Sequence, residues 1–187
     1  MTILPRSFYL RQDVVQIARE TLGKYLVTSI DGQVTAGMIC ETEAYSGVND
    51  KASHAYRGRR TVRTEIMYAV GGTAYIYLCY GIHSLFNIVT NEMDIPHAIL
   101  IRGIIPEDGI GIMSERVGKS TLSANAGIGP GKVSKLLGIH FSLTGLDLTR
   151  KPLSNQFGIW LEDRGLEKPV GNIFQGPRIL SCPTVFG

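Results

Sequence analysis

The stretch from Lys24 to Tyr45, KYLVTSI-DG-QVTAGMICETEAY, decides the fold, because it reads as two long β-strands joined by a tight turn. Asp31-Gly32 is the strongest short-range signal for a β-hairpin, since a two-residue turn needs residues that tolerate positive φ. Side chains alternate along a strand. One face is therefore predicted to carry Ile39, Glu41, Glu43 and Tyr45, and the other Met38, Cys40, Thr42 and Ala44. Two acids and an aromatic ring are expected to project together from an otherwise apolar element.

A run of positive charge follows this hairpin. Residues 51–63 hold five Lys/Arg and no acid, although the whole chain has a net charge of only +3. The rest of the chain carries 14 basic and 16 acidic side chains. Such asymmetry is typical of a protein that presents one face to a polyanion, and less natural in an enzyme of small neutral substrates. The alternative is an ordinary solvated loop.

Length and cysteine usage limit the class of protein. A chain of 187 residues fits one domain, here residues 1–187, and it can bury a core without disulfides. Three cysteines include no CxxC pair and leave one unpaired in any pairing, which favours a reducing compartment. We find no signal peptide and no apolar run of membrane-spanning length. We therefore expect a soluble cytosolic protein that is neither secreted nor bound to a membrane.

Hydrophobic patterns and turn residues predict the remaining elements. An amphipathic helix is expected over 14–22, with Asp13 as its N-cap. Strands are predicted over 73–80, 86–90 and 98–105. The signals then weaken: we expect helices over 113–117 and 130–137, a strand or turn near 160–163, and an irregular tail from Gly176.

Three further residues stand out from these elements. Tyr80 precedes Gly81, so a bend there would expose its ring at a tip. Arg102 lies in an apolar strand, which is costly unless its charge is paired or faces a wet site, and either Glu41 or Glu43 could be the partner. Lys132 opens a helix after Gly129-Pro130-Gly131, but the segment fails the P-loop template because Val133 replaces the required Ser/Thr. A nucleotide-triphosphate site is therefore not expected, while a backbone phosphate could still bind at Lys132.

Several motifs together resemble the alkyladenine (3-methyladenine) DNA glycosylases. They occur in the family's order and cover nearly the whole chain, from about Val14 to Arg178: Glu41-Thr42-Glu43-Ala44-Tyr45, His54, Tyr75-Ile76-Tyr77-Leu78-Cys79-Tyr80-Gly81, Asn87, Arg102 and Gly129-Pro130-Gly131-Lys132. The resemblance implies an α+β single domain with a curved, mainly antiparallel sheet flanked by helices, distinct from the helix-hairpin-helix glycosylases. It also implies excision of alkylated or deaminated purines during base excision repair.

The resemblance assigns the catalytic roles. Glu43 matches the general base that activates water against the sugar C1′, and Arg102 matches an arginine beside that water and the phosphate of the target nucleotide. A carboxylate suits the first role because it is anionic at neutral pH and stabilises an oxocarbenium-like sugar. Glu41 is the competing base, and strand parity alone does not separate it from Glu43.

Binding roles follow from the same match. Tyr45, His54 and Tyr77 correspond to walls that sandwich an extruded purine, and Asn87 to a pocket-floor side chain that can reject a normal guanine. Tyr80 corresponds to the residue that fills the gap left by the flipped nucleotide. Double-stranded damaged DNA is the implied partner, with phosphate contacts from Arg57, Arg59, Arg60, Arg63 and Lys132. On sequence alone, an isolated strand tyrosine is more often part of the core, and Asn87 could simply satisfy a strand end.

Two other classes of function remain as alternatives. A non-enzymatic nucleic-acid-binding module would need the basic loop and the rings but not Glu43. A metal-dependent phosphoesterase would use Glu41, Glu43 and His54, yet the four histidines show no metal-ligand spacing. We therefore expect no metal or cofactor, no lyase step, and a protein that acts as a monomer in the bacterial cytoplasm with access to the nucleoid, or in the nucleus if eukaryotic. Family members commonly continue beyond Pro177-Arg178-Ile179 into another strand, so we expect the short C-terminal segment here to affect efficiency.

Overall fold

We describe a computed structural model of the chain, which covers residues 1–153, 157–165 and 173–178. In these residues seven strands form one antiparallel sheet in the order β1-β7-β2-β3-β6-β5-β4. The sheet curls, so that one of its faces is concave. The strands are β1 (Thr2–Ile3), β2 (Tyr25–Ile30), β3 (Gln33–Tyr45), β4 (Ala74–Cys79), β5 (His83–Thr90), β6 (His97–Asp108) and β7 (Gly158–Asp163). The predicted α+β class with a mainly antiparallel sheet is confirmed.

Four α-helices flank this sheet within the described residues: α1 (Arg6–Tyr9), α2 (Val14–Thr21), α3 (Ile110–Val117) and α4 (Pro130–Leu137). The predicted cap is confirmed, because the Asp13 carboxylate accepts a hydrogen bond from the Gln16 N–H at 2.9 Å. The end of α4 is also as predicted, with Gly138 at φ +70° in the left-handed region. None of the described helices is long and apolar enough to cross a bilayer.

The predicted β2–β3 hairpin is confirmed, and its register explains the role of its turn. Ile30 pairs with Gln33, and the two residues between them, Asp31 and Gly32, have φ of +52° and +74°. Both values are positive, as a two-residue turn that matches the twist of its strands requires. β3 continues well beyond β2 and pairs over that extension with β6, from Glu41 opposite Gly103 to Tyr45 opposite Ala98.

The two faces of the sheet are covered differently. On one face, Ile17 of α2 and Leu136 of α4 pack with Leu26, Ile39 and Ile99 in the main hydrophobic core. On the other face, above β4, β5 and β6, a smaller cluster combines Tyr75, Val89 and Ala98 with side chains of the 46–72 connection, namely Ala55, Met67 and Tyr68. The connection between β3 and β4 therefore lies over the face of the sheet opposite to the main core.

The predicted face assignment along β3 is wrong at Ile39. A β-bulge leaves Cys40 unpaired opposite β6, where Ile39 pairs with Ile104 and Glu41 with Gly103. The extra residue shifts the alternation. Ile39 consequently packs in the main core, on the same side as Ala44, whereas Tyr45 packs in a separate cluster with Leu100. The two acids and Tyr45 therefore lie on the opposite face from Ile39.

The structure describes only part of the C-terminal segment. The structure gives residues 173–178 no helix or strand, in keeping with the predicted irregular tail from Gly176. The rest of that predicted tail, residues 179–187 with Cys182, lies outside the described residues.

Candidate active site

One row of side chains crosses four strands on the face of the sheet opposite to the main core. Glu43 on β3 is paired with Leu100 on β6, Leu100 with Asn87 on β5, and Asn87 with Tyr75 on β4. Residues directly opposite each other in an antiparallel sheet share a face. Tyr45, two residues from Glu43, and Tyr77, two residues from Tyr75, project from the same face. The sheet thus brings together predicted site residues that are far apart in sequence.

Glu43 is a buried carboxylate held in place by two neighbours. Only 6% of the residue is exposed, and Oε2 accepts a hydrogen bond from the Tyr45 hydroxyl at 2.7 Å. Its Oε1 lies 3.3 Å from Nη1 of Arg102, which is itself 9% exposed. Burial raises the pKa of the Tyr45 hydroxyl, and the hydrogen bond to Glu43 raises it further, so Tyr45 remains a neutral donor.

Glu41 shares the cation of Glu43 but stands in a different environment. Its Oε1 accepts a hydrogen bond from Nε of Arg102 at 3.0 Å, while its side chain is 38% exposed against 6% for Glu43. The guanidinium of Arg102 therefore bridges the two carboxylates, which accounts for an arginine in an apolar strand. The two acids therefore differ in burial, whereas strand parity did not distinguish them.

A cleft gives solvent a route to these acids. It has a volume of about 670 Å³ and lies between α2, β3 and residues 173–178, with Glu41 and Glu43 among its lining side chains. Water can thus approach a carboxylate that is otherwise covered. Among the described residues, no three His, Cys, Asp or Glu side chains are grouped as metal ligands would be.

The rings of His54, Tyr75 and Tyr77 meet above β4. His54 contacts Tyr77 edge to face with ring centroids 4.7 Å apart, and its Nδ1 is 2.7 Å from the Tyr75 hydroxyl. Burial, and then the nearby Arg63 and Arg59, lower the pKa of His54 to about 4. The imidazole is accordingly neutral at pH 7. Tyr75, buried between these groups, was not predicted as a site residue, although its strand parity with Tyr77 was a usable signal.

Asn87 lies in the centre of the row and is 4% exposed. Its Nδ2 donates hydrogen bonds to two backbone carbonyls, those of Tyr75 at 3.2 Å and Leu85 at 3.1 Å. A side-chain amide has only two N–H hydrogens, and both are bonded here to backbone carbonyls of the sheet. The orientation of Asn87 is therefore fixed by the strands on which it stands.

Tyr80 lies at the tip of the β4–β5 hairpin, as predicted. Its φ is +52° and that of Gly81 is +71°, and Ile82 N–H donates to the Cys79 carbonyl at 3.1 Å. Positive φ is uncommon for a tyrosine, so the turn holds this ring at the tip at some conformational cost. The residue is 64% exposed. Lys132 is exposed in the first turn of α4, and its neighbour Gly131 lies against His83, just beyond the same tip.

The arginines of the basic loop, residues 51–63, fall into two kinds. Arg57, Arg59 and Arg63 are exposed and have no carboxylate partner in the described part of the chain. Arg60 differs, because it pairs with Glu65 through two hydrogen bonds of 2.8 and 2.7 Å and with Asp94 at 2.8 Å. Its guanidinium also lies 4.5 Å from the Tyr68 ring centroid. The sequence predicted all four arginines as phosphate contacts, whereas Glu65 and Asp94 outside the loop already bind Arg60.

A second set of contacts near Tyr45 was also missed. Arg178 pairs with Asp50, donates to the Ala44 carbonyl and lies over the Tyr45 ring. Nothing in the sequence links Arg178 to Tyr45, since the two are joined only by the tertiary fold.

Comparison with known proteins identifies the family of the chain. The family model described as "Methylpurine-DNA glycosylase (MPG)" matches residues 7–180. A Chlamydia abortus protein named "Putative 3-methyladenine DNA glycosylase" is 51% identical over 178 residues, which cover 95% of this chain and 89% of the relative. Proteins of the same name from Chlamydia felis and Clostridium perfringens strain 13 are 46% and 42% identical, covering 95% and 94% of this chain and 87% and 86% of the relatives. The chain therefore belongs to the methylpurine-DNA glycosylase family of DNA repair enzymes.

Proposed function

We propose that this protein removes damaged purines, of the 3-methyladenine, hypoxanthine and ethenoadenine type, from duplex DNA by hydrolysing the N-glycosidic bond. The observation that carries the proposal is Glu43, a buried carboxylate oriented by Tyr45 and Arg102 at one end of a row of side chains that crosses four strands. The relatives are named putative 3-methyladenine DNA glycosylases, which supports the alkylated purines among these substrates.

In this proposal Glu43 activates the attacking water. Tyr45 and Arg102 bind one carboxylate oxygen each, which fixes the plane of the carboxylate. An ionised carboxylate in such a position accepts a proton from water as the bond to the base breaks, and its charge stabilises the oxocarbenium-like sugar. Arg102 orients Glu43 through Nη1 while Glu41 holds Nε, so the cation is placed by both acids.

The extruded base would stack between aromatic side chains on the face of the sheet that carries Glu43. Three strand spacings, about 14 Å, separate β3 with Tyr45 from β4 with Tyr77. Stacking on rings of this kind contributes about 1–3 kcal/mol per base, and a base made cationic by alkylation gains more from an electron-rich ring. A neutral His54 suits this wall, because an imidazolium would repel such a base.

Asn87 would contribute to the rejection of normal guanine. Both of its Nδ2 hydrogens are committed to the carbonyls of Tyr75 and Leu85, and a donor nitrogen offers no lone pair to an exocyclic amine. A purine with an exocyclic amine at that point would place its N–H donor against Nδ2 of Asn87, which cannot accept a hydrogen bond. Hypoxanthine, which lacks the amine, avoids this contact.

The duplex would be bound from outside this pocket. Tyr80 at its exposed tip is placed to enter the stack and replace the flipped nucleotide. Arg57, Arg59, Arg63 and Lys132 would contact phosphates and so position the duplex without reading its sequence. Arg60 is assigned instead to the folding of the loop, because two carboxylates already neutralise it.

The product of this reaction would be an abasic site in an intact strand. A lyase step needs an amine nucleophile at the sugar, and this proposal assigns the attack to water instead. Water activated by Glu43 is then the nucleophile. Sodium borohydride added during the reaction is expected to trap no covalent protein–DNA complex.

The test is a comparison of Glu43→Gln with Glu41→Gln. With protein in excess over a duplex that contains hypoxanthine, Glu43→Gln should release base at least about 1000-fold more slowly than the wild type and still bind the duplex. Glu41→Gln should lose about tenfold, because it only helps to orient Arg102. Normal release by Glu43→Gln would exclude Glu43 as the base. Binding by the wild type without release of any damaged purine would support a non-enzymatic nucleic-acid-binding module.

A further inference from the structure

Arg178 makes three contacts around one wall of the proposed base pocket. Its Nη1 donates to the Ala44 carbonyl at 2.7 Å, and both terminal nitrogens pair with the Asp50 carboxylate, Nη2 to Oδ1 at 2.6 Å. The guanidinium carbon lies 4.7 Å from the centroid of the Tyr45 ring. One side chain from the end of the described chain is therefore bound to β3, to the loop that follows it and to an aromatic ring.

Asp50, the partner of Arg178, organises the connection between two pocket walls. Its Oδ1 accepts a hydrogen bond from Ala52 N–H at 3.0 Å, and its Oδ2 accepts one from Ser46 N–H at 3.2 Å. Burial opposes the ionisation of Asp50, but the hydrogen bonds from Arg178 and Ala52 offset it and lower the pKa of this carboxyl. The ion pair between Arg178 and Asp50 thus stabilises the turn that leads from Tyr45 towards His54.

The orientation of Tyr45 depends on both ends of its side chain. The hydroxyl is bound to Glu43 at 2.7 Å, and the ring face is covered by Arg178. A bidentate guanidinium has little freedom to rotate, unlike the compact ammonium of a lysine. Removing it would leave the ring and the Ser46–Ala52 turn held by fewer contacts.

We propose that Arg178 is a positioning residue, which holds Tyr45 in the orientation needed to stack the damaged base, through its pair with Asp50. This inference rests on the proposed function, since it concerns the same pocket. The rival role for Arg178 is a phosphate contact, but three of its five N–H donors already bind Asp50 and Ala44, and the Asp50 carboxylate balances its charge.

The experiment compares Arg178→Gln, Arg178→Lys, Asp50→Asn and the Arg178→Gln/Asp50→Asn double variant. Arg150→Gln is the matched control, because Arg150 is an exposed arginine with a carboxylate partner, Asp147, that the proposed pocket does not include. Base release is measured with protein in excess, together with the dissociation constant for the damaged duplex and the thermal unfolding midpoint. A displacement of a reacting group by about 1 Å can cost about 100-fold in rate, so partial loosening of one wall should cost about tenfold.

The proposal expects a particular pattern among these variants. Arg178→Gln should lower the rate at saturating protein about tenfold with less than about a threefold change in affinity, and Arg178→Lys should restore part of the rate. Asp50→Asn should resemble Arg178→Gln, and the double variant should be no slower than either, because the two residues act as one unit. The proposal would be overturned if Arg178→Gln released base as fast as Arg150→Gln, or if it lost only affinity for the duplex. Additive losses of rate in the double variant would also overturn it.

A measurement that does not need catalysis separates this inference from the proposed function. NMR spectra are recorded on protein with ¹³C-labelled tyrosine rings, and the Tyr45 resonance is assigned by its absence in Tyr45→Phe. The chemical shift of Tyr45 should change in Arg178→Gln and stay the same in Arg150→Gln. An unmoved resonance would overturn the positioning role. A wild-type protein that released no damaged base would refute the proposed function, and the tyrosine spectrum would still decide the contact.

Discussion

Two charged regions of the molecule are built in opposite ways. In the buried charge cluster, formed by Glu41, Glu43 and Arg102, the charges are bonded to one another and two of the three residues are less than 10% exposed. In the basic loop, Arg57, Arg59 and Arg63 are exposed and face solvent. Charges in the first setting should act as one unit, while charges in the second should act independently and be screened by salt. Catalysis is expected to depend on the cluster and affinity on the loop.

The sharpest test of this contrast is Arg102→Gln. It leaves Glu41 and Glu43 without their shared cation, so unfolding free energy should fall by about 3 kcal/mol and base release by about 100-fold, with both losses persisting at high salt. Chemical denaturation and rates at saturating protein measure the two effects. Arg116→Gln is the control, because Arg116 is a half-buried structural arginine that binds Thr35 and the Leu136 carbonyl. It should lose stability without losing rate, and an equal loss of rate in both variants would remove the distinction.

His54 links the two regions, because it is a half-buried residue whose pKa the loop arginines help to lower. The folded-state pKa is about 4 against about 6.5 in the unfolded chain, so the unfolded state binds the proton first as pH falls. Stability from this group is complete above about pH 6.5 and lost towards pH 4. Between pH 7 and pH 5, the unfolding free energy should fall by about 2 kcal/mol less in His54→Gln than in the wild type. Urea denaturation at the two pH values checks this, and an identical loss would show that His54 does not titrate as described.

The exposed arginines should have separable effects on binding. If Arg57, Arg59, Arg63 and Lys132 each neutralise one phosphate, the logarithm of the association constant should fall against the logarithm of salt concentration with a slope of roughly −3.6. Each single change to glutamine should make that slope shallower by about 0.9 and leave the rate at saturation unchanged. Titrations at several salt concentrations measure the slope. A wild-type slope near zero would rule out the loop as a DNA-binding surface.

Changes at Arg60 are expected to have the smallest effect on DNA binding, and they test whether all the arginines of the basic loop contact phosphates. The double variant Arg60→Gln/Glu65→Gln keeps the local net charge, so its salt slope should equal that of the wild type within about 0.3. Arg63→Gln, in the same loop, serves as the comparison. A slope reduced as much as in Arg63→Gln would return Arg60 to the set of phosphate contacts.

Local signals predicted the elements on which the site stands. The turn at Asp31-Gly32, the cap at Asp13 and the end of α4 at Gly138 each depend on neighbouring residues, and all three are confirmed. The exposed tip at Tyr80 was predicted for the same reason, since Gly81 follows it directly.

What the sequence did not predict depends on pairing between distant segments. The bulge at Cys40 is set by the register of β3 against β6, so strand parity placed Ile39 on the wrong face. The partners of Arg60 and Arg178 come from other parts of the chain. The choice between Glu41 and Glu43 rested on resemblance, whereas their difference in burial now gives a physical reason for it.

The central claim is that this fold excises damaged purines, and a lesion panel tests it most directly. Purified protein is incubated with duplexes that each carry one alkylated purine, hypoxanthine or ethenoadenine, in the presence of EDTA, and the strands are then treated with alkali. We expect at least one lesion duplex to break only after alkali, at the lesion, while undamaged duplex stays intact. Absence of alkali-labile sites in every lesion duplex would contradict the account.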